Sequence, residues 1–220
     1  MHKSECIGRL INSATHDMRN VLAVIRESVG LVQDILRQPD AATRLVRVQQ
    51  ALQSVQEQVN HGAELAEGMG HIGQCAEYRD DVSEKSCDLT RITGDFCVMA
   101  RRRGKACALE LHCQPTAEPI LSPAAPLEVF RCLLGIFDAC AAVGGGVSLC
   151  FRPILHQGNA VIECEVQEGG KNSDMVIAAL TGHPLLRPLS PHWAEKLFPL
   201  TGGGKGPRFL MHIETTPFQP

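Results

Sequence analysis

The sequence predicts an α+β chain: a long helical hairpin that dimerises into a four-helix bundle, followed by a two-layer α/β domain. Three observations predict it. Apolar residues recur in steps of three and four from Ile7 to Leu36. A seven-residue apolar repeat runs from Leu45 to Ala76. After Tyr78, helical and alternating patterns take turns, as expected for a sheet covered by helices.

The first helix places Ile7, Ile11, Ala14, Met18, Val21, Ile25, Val29, Val32 and Leu36 on one buried stripe. Within it lies His16-Asp17-Met18-Arg19-Asn20. His16 stands two residues from both Ala14 and Met18. At about 3.6 residues per turn it therefore points away from the stripe. Arg19, Asn20, Ala23 and Glu27 share its face. Pro39-Asp40 ends this helix and caps the next, since proline cannot continue a helix and aspartate accepts from the next one's free N–H groups.

The second helix carries Leu45, Val48, Leu52, Val55, Val59, Gly62, Ala66, Met69, Gly73 and Ala76 on a coiled-coil type seam. Helices of roughly 30 and 35 residues extend ~45–55 Å. A lone hairpin of that length cannot bury both stripes. A homodimer forming a four-helix bundle is the economical solution. The hairpin domain is assigned to residues 1–79 and the second domain to residues 87–220, with the polar run Asp80–Ser86 as linker.

Composition narrows the function classes. A net charge of -3 over 220 residues gives no strong pull toward nucleic acid or anionic membrane. Arg101-Arg102-Arg103 is short and reads as a solvated helix end. One Trp and one Tyr make a poor stacking surface for single-stranded nucleic acid. There is no long apolar run for a membrane span and no signal-peptide core, so a cytoplasmic location is expected. The ten cysteines include no C-x-x-C pair and several fall in apolar runs. They read as buried free thiols, with no metal site or disulfide framework.

Beyond Tyr78 the elements can be taken in order. Asp88–Arg103 has helical spacing through Leu89, Ile92, Phe96 and Met99. Ala106–Cys113 alternates as a strand. Pro123–Val143 is a strongly apolar helix stopped by Gly144-Gly145-Gly146. Val147–Pro153 and Asn159–Gln167 read as paired strands, Asp174–Leu180 and Pro191–Leu197 as short helices, and Arg208–Thr215 as the last strand. Gly202-Gly203-Gly204-Lys205-Gly206 lacks phosphate-loop spacing and precedes Pro207, so it reads as a turn. His183 and His192 are too isolated to suggest a metal site.

This order resembles the core of a bacterial sensor histidine kinase, a dimerisation and histidine phosphotransfer hairpin followed by an ATP-binding-like domain. His16-Asp17-Met18-Arg19-Asn20 resembles the family's H-[DE]-x-x-[NT] box. Cys87-Asp88-Leu89 resembles the opening of the second domain. Leu127–Gly146 resembles the nucleotide helix, and Glu163–Gly170 the strand bearing the adenine-binding acid. The departures set the expected function. Where kinases carry two asparagines for Mg²⁺-phosphate, this chain has Gly135 and Ala139, which offer no oxygen ligands. Asp138 is one residue off register. The adenine box is reduced to the remnant Glu168-Gly169-Gly170, and a glycine-rich lid is absent.

Such a chain is similar to the bacterial histidine phosphotransferases, which relay phosphate between receiver domains without ATP. The segment Asp174–Gly182, followed by Pro191–Leu200, is similar to the shortened region that replaces the lid in that group. The resemblance implies a degenerate histidine-kinase-ATPase-like sandwich as second domain. It implies His16 as phosphoacceptor, with receiver domains of response regulators, or of a hybrid histidine kinase, as donors and acceptors. No cofactor would be held by this chain; Mg²⁺ would reside on the receiver.

Phosphoryl transfer depends on positioning and charge neutralisation. A neutral imidazole is a competent nucleophile, since unperturbed histidine titrates near ~6.5. Asp17 is expected to accept from the other ring nitrogen, and Arg19 to offset phosphoryl charge. The position of Asn20 in kinases of this family positions water for receiver dephosphorylation. Two other classes stay open. One is an ATP-dependent histidine kinase core. The other is a non-catalytic dimer that binds a response regulator.

Overall fold

The computed structural model describes residues 3–37, 41–77, 87–144, 146–167, 173–183, 186 and 208–212. The Pro39-Asp40 break, the Asp80–Ser86 linker, the Glu168-Gly169-Gly170 remnant, the Pro191–Leu197 helix with His192, and the turn at 202–206 lie outside them. Helix α1 (Lys3–Leu36) has 34 residues and α2 (Ala41–Glu77) has 37. They pack against each other as a hairpin. The rest is an α/β part, so the chain is α+β, mostly helical with small sheets.

The buried face of the hairpin follows the predicted stripe of α1 from Ile11 to Ile25 and departs from the apolar spacing elsewhere. Leu10, Ala14, Val21 and Ile35 of α1 are buried, with Ala51, Gly62, Leu65, Gly68 and Ile72 of α2. Val29, Leu36, Leu45, Leu52 and Val59, all assigned to stripe or seam by spacing, are exposed. The cause is the choice of small residues at the contact. A Cβ at Gly62 would sit 3.1 Å from Cγ1 of Val21, and one at Gly68 would sit 3.4 Å from Met99. Glycines at these positions let the helices close up, and the large side chains Leu65 and Ile72 fill the seam instead of Ala66 and Gly73.

Helix α3 (Leu89–Ala106) begins where Asp88 accepts from the N–H groups of Thr90 and Arg91 at 2.9 and 3.3 Å. This satisfies donors that the first turn leaves free. The two-residue strand β1 (Cys87–Asp88) pairs antiparallel with β3 (Leu121–Ser122). Spacing missed this pair, because two residues cannot show an alternation. Between them runs β2 (Leu109–Cys113), which begins three residues later than expected because α3 extends to Ala106.

Gly104 makes that crowded junction possible. A Cβ there would lie 2.6 Å from the carbonyl oxygen of Leu109, and no rotamer relieves a backbone contact. Gly104→Ala is expected to cost about 1–3 kcal/mol, in the range of overpacked sites. A urea titration should show a lower midpoint; an unchanged midpoint would mean that α3 and β2 separate freely.

Helix α4 (Pro126–Val143) starts with proline, whose missing N–H is no loss at that position, and ends at Gly144 with φ 70°. Strands β4 (Val147–His156) and β5 (Asn159–Gln167) form a hairpin around Gln157 and Gly158, both at positive φ. Two such residues give a turn that matches the twist of the strands. Helix α5 is Ser173–Gly182, and β6 is Arg208–His212. The main sheet has the order β2-β4-β5-β6, with β2 parallel to β4 and the other pairs antiparallel.

Phe96 of α3 is the hub of this core. It packs edge to face on Phe137 at 6.3 Å and on Phe151 at 6.0 Å. Cys87, Cys97, Cys132, Cys140 and Cys164 are buried as free thiols. Burial pushes Cys132 up to about 12 and Cys164 well above its ordinary value, so they behave as small apolar groups. Leu10, Ala14, Val21, Leu65 and Ile72 of the hairpin belong to the same apolar cluster as the α/β part. Among the described residues, no helix is long and apolar enough to cross a membrane.

Candidate functional site

Helix α1 carries the candidate site about midway along its length. His16, Arg19 and Asn20 are exposed on one side. Asp17, one step round the helix, is only 6 % exposed. It occupies a position in the buried spacing 10, 14, 17, 21. A carboxylate so placed needs a partner, because removing a charge from water is costly unless it is paired.

The partner comes from α3. Arg102 Nη1 donates to Asp17 Oδ1 at 3.1 Å and also to His16 Nδ1. A guanidinium has only donors to offer. The Nδ1 atom that receives it must therefore present its lone pair, and a neutral ring then keeps its hydrogen on Nε2. Asp17 thus reaches His16 through Arg102, in place of the direct hydrogen bond that the sequence suggests. Among the described residues neither Arg19 nor Asn20 is hydrogen-bonded to this group.

Arg102 was hidden in a run read as a solvated helix end, and that reading needs correction. Arg103 pairs with Asp138 of α4 at 2.7 Å, and its guanidinium carbon lies 5.0 Å from the centre of the Phe137 ring. Asp138 also pairs with Arg9 of α1 at 3.0 Å. On α2, His71 Nδ1 lies 2.5 Å from Asp95 Oδ2 of α3. Two arginines of the run are thus turned toward charged partners at the meeting of the hairpin and the α/β part. A sequence signal existed: after Ile92, Phe96 and Met99, the apolar stripe of α3 next reaches residue 103, so at least one arginine had to face inward.

The positions compared with the kinase nucleotide site have other employment. Gly135 and Ala139 are buried in the core of α4. Asp138 is held between two arginines. Glu163 is 6 % exposed and accepts from Arg152 Nε at 2.6 Å, with a second donation from Nη2. Its carboxylate is engaged within the sheet. His183 is half-buried, and burial pushes its imidazole down from its ordinary value.

No protein-family model matches the sequence, and no curated protein matches it either. Among solved structures, the chain is similar to the histidine kinase AdeS of Acinetobacter baumannii, with 13% identity and a TM-score of 0.37. The match covers 91% of this chain and 98% of that one.

Proposed function

We propose that this chain is a phosphorelay histidine phosphotransferase. His16 takes a phosphoryl group from an aspartyl phosphate on one receiver domain and passes it to the aspartate of another, without ATP. The observation that carries this reading is the pairing of an exposed His16 with a neighbouring arginine anchored on a buried carboxylate. That arrangement suits an anionic group arriving from outside. Burial of Gly135 and Ala139 favours the transferase over the kinase, since neither position offers a ligand for Mg²⁺-nucleotide. Mg²⁺ belongs to the acidic pocket of the receiver, and receiver domains are the proposed partners.

The working unit is proposed to be a homodimer. Leu22, Val29 and Leu36 form a ladder in steps of seven along α1, and Leu45, Leu52 and Val59 form another along α2. With Gly62 opposite Val21, the two ladders climb side by side on one face of the hairpin. Six large apolar side chains in parallel rows are what a second hairpin would cover.

The deciding experiment offers the purified chain first γ-labelled ATP with Mg²⁺, then a phosphorylated receiver domain. Label is expected from the receiver and not from ATP, and none on His16→Ala. ATP labelling of the wild type would make the chain a kinase. A receiver that binds but never transfers its label would make it a non-catalytic binding partner.

A further inference from the structure

We propose that Arg102 is a catalytic residue for this transfer, an arginine that the α/β part supplies to the phosphoacceptor on the hairpin. The inference rests on the reading of His16 as the acceptor and goes beyond it by naming the group that neutralises the phosphoryl charge and where it comes from.

Among the described residues, Arg102 is the cation in contact with the ring of His16. Its side chain remains 41 % exposed, whereas that of Asp17 is 7 % exposed. The anchor is therefore buried and the guanidinium is open to an incoming ligand. In the step, the lone pair of the imidazole forms a bond to phosphorus. The bond from phosphorus to the donor carboxylate oxygen breaks, and its electron pair leaves with the aspartate. The ring hydrogen stays on the other nitrogen. No oxidant, nucleotide or metal held by this chain takes part.

For that attack the N–H now on Nδ1 must let go of the ring. The same Nη1 still holds Asp17, so the freed N–H swings about a fixed anchor onto the oxygens of the arriving phosphoryl group. A hydrogen bond between opposite charges replaces a weaker one to a neutral ring. Because the loose transition state spreads charge over the equatorial oxygens, a preplaced guanidinium stabilises it more than the ground state. Among the described residues, Arg19, on the exposed face of α1, has no anchor comparable to Asp17. This arrangement also gives the α/β part a chemical role.

The test uses phosphoramidate, a small phosphoryl donor that needs no docked receiver. Wild type should become labelled at His16, read as acid-labile phosphohistidine by mass spectrometry, with His16→Ala as blank. Arg102→Ala should lose about 100-fold in maximal rate, in the range of a lost charge stabiliser, with little change in the donor concentration for half-maximal rate. Millimolar guanidinium should restore part of that rate. Arg102→Lys keeps the ion pair with Asp17, should melt like wild type, and should retain an intermediate rate.

An undiminished rate in Arg102→Ala overturns the proposal, and a faster rate would make the contact a brake. A loss that neither guanidinium nor lysine restores assigns Arg102 a structural role and also overturns it. Failure of the wild type itself to label removes the acceptor reading, and the proposal with it.

Discussion

Replacing Val29 and Leu52 with aspartate should turn the protein into a monomer. Each residue stands in the middle of an exposed ladder, 46 % and 54 % being the exposures of Val29 and Leu52 in the single chain. Neither contributes to the buried seam between α1 and α2, so the substitutions need not unfold the hairpin from within. In a dimer both carboxylates would be pressed between apolar side chains. A charge left unpaired there costs several kcal/mol at each copy, enough to shift association by orders of magnitude. Sedimentation or light scattering at micromolar concentration should show half the mass of the wild type. A wild type that is monomeric itself would refute the dimer, and a double variant that remains dimeric would place the interface elsewhere.

Phe96→Ala should have the largest effect on stability. The ring is fully buried and meets Phe137 and Phe151, so its removal leaves a cavity under both α4 and β4. Such truncations cost about 3–5 kcal/mol, a large fraction of the roughly 5–15 kcal/mol that holds a domain. Thermal melts should fall steeply. Phosphoryl uptake should fall with them, because Arg102 rides on the same helix and would lose its place beside His16. A variant that melts like wild type would mean that the ring can be replaced by rearrangement of its neighbours.

Much of the fold was legible because its cues are local. The spacing of apolar residues located α1 and α2, and the strand expected at Asn159–Gln167 is β5. Helical spacing placed the start of α3 at Asp88, which caps that helix in the structure. The exposed orientation of His16 followed from helical register alone. The contact of Gly62 with Val21 joins positions that both stripes contain, but the rest of the α2 face did not follow, because Leu65 and Ile72 stand one residue from Ala66 and Gly73 and the two rows are hard to tell apart by spacing. Asp17 is a sharper case. Its side chain is charged, so a pattern of apolar residues passes over it, yet its position is buried. Its partner lies 85 residues away on another element. No spacing rule reaches that far, and the triplet Arg101-Arg102-Arg103 looks the same in sequence whether solvated or engaged.

The shared apolar cluster divides the hairpin unequally. At its lower end Leu10, Ala14, Leu65 and Ile72 are welded into the same cooperative unit as the sheet. Toward the connection between α1 and α2, burial thins to Ile35 and Ala51. In the single chain that upper end has little interior of its own, so without a second hairpin over its exposed ladders it would open locally at far lower free energy than the rest. His16 stands close to the boundary between the two regimes. Such opening would stop about one turn short of Asp17, where the ion pair to Arg102 and the packing of Val21 take hold. The proposed acceptor is thus at the edge of the packed unit, fixed from below and free to meet a visitor from above.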